Sequence, residues 1–191
     1  MYPGVRPAGM QNLITEKNRI RAMILEAIRK NKSIRVHERG DFFLNGKLDV
    51  EYVANWVWAC ESILADGKSL PDMWFYTHIY DARLVALGKY MAVYASIHNA
   101  SDKAAATAIG FKLFAWCDSD TKIAPKRPRN KAKADAWRAA LPKLVIIDDT
   151  KYVTCPEIRR GRGVVTCTTT KGSVTCDLCV RGLANVLFPS H

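Results

Sequence analysis

Residues 73–117 read MWFYTHIYDARLVALGKYMAVYASIHNASDKAAATAIGFKLFAWC, and this stretch decides the fold. It holds three short apolar runs: Met73 to His78, Tyr90 to His98 and Phe111 to Cys117. Between the first two lies IYDARLVALGK, which reads as a short helix. Between the second and third, Ser101 caps an alanine-rich helix, DKAAATAIG. Strand–helix alternation of this kind implies parallel strands joined by right-handed crossovers. The runs are continuously apolar rather than alternating, as expected of strands covered on both faces.

The same alternation extends outward. Upstream, Ile20, Met23, Ile24, Ala27 and Ile28 recur at helical spacing. They predict a helix capped by Thr15 and running to about Asn31. SIRVH (33–37) predicts a strand and ERGDFFLNGK (38–47) a polar loop. Asp49 can cap a further helix with the stripe Val53, Trp56, Val57, Cys60 and Leu64, which Gly67 and Pro71 end. Downstream, a basic proline-containing loop leads to a helix from about Lys131 to Leu141. LVII (144–147) then predicts a fifth strand, continued to Val153 after a turn, and NVLF (185–188) a closing one. The expected fold is α/β: an incomplete (β/α) barrel or an open parallel sheet of about six strands. A closed eight-fold barrel needs about 250 residues, more than this chain has. Residues 1–13 read as an irregular lead-in, 14–153 as the α/β domain, and 154–191 as a cysteine-rich metal-binding segment with the closing strand.

That last segment carries the most specific chemistry. Its pattern is Cys155-x11-Cys167-x8-Cys176-x2-Cys179. Two residues between cysteines let both sulfurs face one ion around a tight turn, and four thiolates satisfy tetrahedral zinc or hold an iron–sulfur cluster. Gly161, Gly163 and Gly172 supply bends in an intervening stretch too polar to fold by core burial, so a metal would substitute for the missing core. The long loops between the first three cysteines favour zinc over the compact ferredoxin run. Free or redox-active thiols are the competing reading, and a lone C-x2-C would not exclude it. Cys60 and Cys117 stand apart in apolar segments, and Cys117 or His191 could serve as a further ligand.

Polar residues collect where the predicted strands end. His37 and Asp41 follow the first strand, His78 the second, His98 the third and Asp118 with Asp120 the fourth; Asp148 and Asp149 follow the fifth, and His191 closes the chain. Parallel strands deliver their C-terminal ends to one edge, where ligands bind. Loops are polar anyway, which accounts for the aspartates; it accounts less well for all four histidines. His37, Asp41, His78, His98 and Asp118 are therefore the expected catalytic mouth, able to act as acids, bases or ligands. No P-loop, dinucleotide fingerprint or nucleophile elbow is present.

Lysine and arginine exceed the acids by 29 to 18, for a net charge of +11. The excess is clumped at Lys126, Arg127, Arg129, Lys131 and Lys133, and again at Arg159, Arg160 and Arg162. Solubility alone would account for scattered charge; clumps point to a polyanion such as nucleic acid. No apolar run of about eighteen residues and no signal-type h-region occurs, so no membrane partner is expected and the cytoplasm of the host cell is the expected compartment.

IRVHERGDFF, FYTHIYD, YASIHN and the terminal cysteine segment before VLFPSH together resemble the "gene product eighty-eight" family of phage and prophage proteins. The matching residues are His37, Gly40, Asp41, Phe42 and Phe43; Phe75, Tyr76 and Thr77; Cys155, Pro156, Cys167, Cys176 and Cys179; and Phe188 with His191. The likeness covers about residues 33–191. Family members usually carry a further strand and a cysteine-containing segment upstream, and His78 stands where serine is frequent, so the resemblance implies a shortened or diverged member. The family is distantly similar to the partial barrels of radical-SAM enzymes, but no C-x3-C-x2-C loop occurs here and that activity is not implied. Three functions compete. The first is a metal-site protein, zinc or iron–sulfur, that contacts nucleic acid in phage replication or host takeover. The second is an enzyme on a nucleotide or phosphorylated substrate at the strand mouth. The third is a non-enzymatic binder of a host protein.

Overall fold

A computed structural model describes residues 16–37, 41–44, 46–118, 123–160, 165–167 and 174–189. In chain order its elements are α1 (Lys17–Arg29), β1 (Ile34–Arg35), β2 (Phe43–Leu44), β3 (Lys47–Leu48), α2 (Val50–Ala65), β4 (Met73–Thr77), α3 (Ala82–Ala86) with a 3-10 turn (Leu87–Lys89), and β5 (Ala92–Ile97). They continue with α4 (Ala100–Ile109), β6 (Leu113–Asp118), α5 (Lys131–Ala140), β7 (Leu144–Ile147), β8 (Thr150–Thr154), α6 (Pro156–Arg160), β9 (Val165–Thr166), β10 (Val174–Thr175) and β11 (Asn185–Pro189). Asp49 caps α2 by accepting from the Tyr52 N–H. Asn99, rather than the expected Ser101, caps α4 by accepting from Asp102 N–H.

Seven strands form one open sheet in the order β1-β4-β5-β6-β11-β8-β7. Every pairing is parallel except β7 with β8. The α/β expectation holds in its open-sheet form; the barrel form does not. One strand runs against the expected direction. LVII is antiparallel because Asp148 and Asp149 both take left-handed conformations (φ 47 and 58), forming the kind of tight turn that closes a hairpin. Those two aspartates therefore sit at the opposite edge from the other strand ends. The loop expected at 38–47 also contains the β2–β3 hairpin.

Strand alternation divides the core between two faces. On one face Met73, Phe75, Val93, Ala95, Ile97, Phe114, Trp116 and Leu187 pack with Ile20, Ile24, Tyr52, Val53, Trp56, Ile63, Leu84 and Leu87 from the helices. On the other, Trp74, Tyr94, Ala115 and Val186 meet Cys155, Cys179 and Val180. The topology accounts for the split. From β1 through β4, β5 and β6 the chain steps in one direction, and right-handed crossovers keep those helices on one face. From β8 it steps back to β11, so the right-handed crossover passes over the opposite face. No helix among the described residues is long and apolar enough to cross a membrane.

Candidate functional site

The C-terminal ends of β4, β5 and β6 place His78, His98 and Cys117 together. Their ligand atoms, one from each residue, all lie within 4.8 Å of one another. The two imidazoles stack with centroids 5.3 Å apart, and Nε2 of His78 is 3.2 Å from Nε2 of His98. Both turns are clamped from behind. The backbone N–H of His78 donates to Asp41 Oδ2 at 2.8 Å, and that of His98 donates to Asp102 Oδ2 at 2.9 Å. Partial burial among the strand ends, and then the adjacent His98, hold the His78 imidazole below its usual pKa. Burial pushes the Cys117 thiol up to about 11.

The other expected mouth residues have different surroundings. Asp41 is buried and also accepts from the Phe42 N–H at 2.7 Å; burial raises its pKa despite these donors. Asp118 is buried too, and its Oδ2 accepts from the backbone N–H groups of Ile123 and Ala124. His37 turns towards α2, with Nε2 3.1 Å from the Tyr52 hydroxyl and its ring edge-on to Phe42. The structure thus brings Asp41, His78 and His98 together, and adds Cys117, which in the sequence stands apart in an apolar segment. Alternation along β6 is the available signal: Cys117 falls on the face of Ala115.

The four late cysteines gather on the opposite face of the sheet from α1 and α2. Cys155 and Cys179 are buried in one cluster, with Cys167 packed against it. Cys176 is near enough to act electrostatically on both Cys155 and Cys179. Cys155 ties β8 to β11 through its N–H, which donates to Leu187 C=O at 2.9 Å, and the backbone N–H groups of Ile158 and Glu157 donate to its sulfur. The Cys167 thiol donates to Glu157 Oε2 at 3.3 Å. The Tyr76 hydroxyl hydrogen-bonds the Cys179 sulfur. Burial first, and neighbouring thiolates after it, raise the pKa of Cys155 and Cys167 and push Cys179 up to about 12. Such a nest strongly disfavours charge on its own, and a bound cation reverses that by deprotonating its ligands.

This cysteine crossover is tied to the sheet at defined points. The buried Tyr94 hydroxyl lies 3.2 Å from the Leu178 carbonyl and 3.1 Å from that of Ala184, donating between them. Gly182 (φ 62) closes the turn after Cys179; a Cβ there would stand 3.1 Å from Leu113 Cδ1 and 3.3 Å from Ala92 Cβ.

The two basic clumps, far apart in sequence, occupy packed neighbours. Trp137 and Leu141 of the α5 region and Ala124 pack with Ile158 of α6. Lys126, Arg127, Arg129, Lys131, Lys133 and Arg160 are exposed and Arg159 is half-buried. Among the described residues none of these seven cations has an ion-pair partner. Trp137 is core, its indole N–H donating to Pro125 C=O at 2.7 Å. Gly40, Asp120, Gly161, Arg162, Gly163, Gly172 and His191 lie outside the described residues. A concavity of about 1000 Å³ opens at the other end of β4, β5 and β6, among Asp72, Met73, Ala92, Leu113 and Gly182, away from the histidines.

No curated protein matches the chain, and no solved structure does. A family match, to gene product 88, runs from residue 5 to residue 182 and so takes in α1, the histidine strands and all four late cysteines. The chain belongs to the gene product 88 family of phage proteins.

Proposed function

We propose that this is a phage metal-site protein whose four-cysteine cluster orders a basic surface that contacts nucleic acid, in replication or host takeover. The observation that carries the reading is the packing of the α5 region, which carries or follows the first basic clump, against α6, which carries Arg159 and Arg160 and begins directly after Cys155. A metal held by the cysteines would fix α6, which carries Arg159 and Arg160 of the cationic patch. Thiol donors suit either zinc or an iron–sulfur cluster. Zn–S bonds of about 2.3 Å set tetrahedral sulfurs about 3.8 Å apart. Among the described residues no three of these sulfurs lie within 4.8 Å of one another, so binding a single zinc would draw them closer together.

The test is retention on single- and double-stranded DNA, RNA and heparin across a salt series, with protein purified without oxygen. Binding weakens log-linearly with salt, and the paired reversals Lys126→Glu with Arg127→Glu lower the slope by about one for each phosphate no longer neutralised. Absent or salt-insensitive binding ends the reading. A second reading, an enzyme at the strand mouth, is favoured by the His78–His98 pair, which is where an acid–base or ligand role would sit.

A further inference from the structure

We infer that His78, His98 and Cys117 form a second metal site, separate from the four late cysteines, that takes a zinc-class divalent ion through three protein ligands and leaves one position open. It stands independently of nucleic-acid contact.

The geometry matches the ion before the ion arrives. Tetrahedral zinc with Zn–N bonds of about 2.05 Å holds two imidazole nitrogens about 3.3 Å apart. The two Nε2 atoms are 3.2 Å apart, and one ring nitrogen of each histidine lies within 4.8 Å of the Cys117 sulfur. Combining Zn–N with a Zn–S bond of about 2.3 Å calls for an N···S separation of about 3.6 Å, within that bound. Two imidazoles facing one another nitrogen to nitrogen need something between them, because two lone pairs repel. A shared proton is one solution and a cation is the other. The thiol beside them argues for the cation, since imidazole and thiolate together are a borderline-soft donor set that suits zinc.

The ligands are also prepositioned. Each comes from the end of a different strand, and β4, β5 and β6 are consecutive in the sheet. The Asp41 and Asp102 carboxylates fix the turns that carry His78 and His98 through their backbone N–H groups. Such supporting bonds hold metal ligands in place. Three protein ligands with an open fourth position is the arrangement of catalytic rather than structural zinc, where water or an anionic oxygen completes the shell. His78 is exposed, so the fourth position faces solvent at the edge where parallel sheets bind ligands.

Zinc titration of the full-length protein, purified without oxygen so that the cysteine cluster keeps its own metal, tests the site. The unmodified chain takes up one equivalent of zinc beyond the metal it carries as purified. His78→Ala and Cys117→Ala each weaken that step at least tenfold while leaving the as-purified metal content unchanged. His78 is exposed, so its replacement leaves the core intact, and circular dichroism confirms the fold of both variants. In the unmodified protein, imidazole ¹⁵N spectra provide an independent reading. Zinc shifts Nε2 of His78 and His98 but not Nε2 of His37, which faces the Tyr52 hydroxyl instead. No additional zinc equivalent, equal affinity in the variants, or unmoved His78 and His98 resonances would each overturn the site and leave a proton-sharing histidine pair.

Discussion

The two faces of the sheet are built on different physics. The face under α1 and α2 buries whole aromatic and aliphatic side chains: Trp56, Phe75, Ile20, Ile24, Ile63, Leu84 and Leu87 are all essentially inaccessible. The face under the cysteine crossover has fewer large apolar groups; its buried set is Trp74, Tyr94, Ala115 and Val186, closed by Cys155, Cys179 and Val180. The first face can fold on burial alone, at roughly 1.5–3 kcal/mol for each large apolar side chain. The second has thiols where the first has leucines. Two parallel strands joined by a crossover normally gain that cover from a helix. Here the described residues of the crossover from β8 to β11 contribute α6, of five residues, and the short β9–β10 pair, with Ile158 and Cys167 packed against the buried set. One face is sealed by large hydrophobic side chains; the other is closed partly by thiols, for which coordination is the proposed source of cohesion.

The largest expected effect is on the helical face. Trp56→Ala removes a fully buried indole and costs roughly 3–5 kcal/mol, read as a lower urea midpoint for the whole domain. If α1 and α2 unfolded separately while the sheet held, the two-face division would need redrawing. A smaller effect sharpens the other face. Gly182→Ala forces a left-handed residue to carry a Cβ against Leu113 and Ala92, costing about 1–2 kcal/mol. Hydrogen exchange should show its damage first around Cys179 rather than in α2. The smallest effect lies at the edge of the helical face. Asp81 caps α3 and accepts from Arg83, and that pairing lowers its pKa to about 2. Asp81→Ala costs about 1 kcal/mol near neutral pH. A carboxylate with a depressed folded-state pKa contributes fully above its ordinary value near 4, and the contribution fades as pH falls towards 2. The variant and the unmodified chain should therefore converge in stability over that window.

Much of the helical face is legible in sequence because each of its strands is an apolar run and each of its main helices repeats at helical spacing. Met73 to Thr77, Ala92 to Ile97 and Leu113 to Asp118 coincide, to within two residues, with the three apolar runs of residues 73–117. The direction of β7 is harder to read, because it depends on a two-residue turn whose aspartates adopt left-handed backbone rather than on strand composition. Side-chain roles at the strand ends are least legible. His37, Asp41 and Asp118 look alike on paper, yet packing turns His37 towards Tyr52 and gives Asp41 and Asp118 backbone N–H groups to hold. Pairing Cys117 with the histidines depends on the register between β5 and β6, which one sequence does not specify.

Coordination, rather than burial, is proposed to order the cysteine crossover. Amide hydrogen exchange on the anaerobically purified protein and on Cys176→Ser, with metal content measured in both, tests it most directly. The half-buried Cys176 contributes little to the core, so its loss should act through the metal. Bound iron or zinc is expected in the unmodified chain and its loss in the variant, with collapsed protection at Arg159, Arg181 and Leu183, whose N–H groups donate to Cys155, Asp177 and Leu178 carbonyls, while α2 stays protected. A metal-free unmodified chain, or equal protection of those three amides in both proteins, would contradict it.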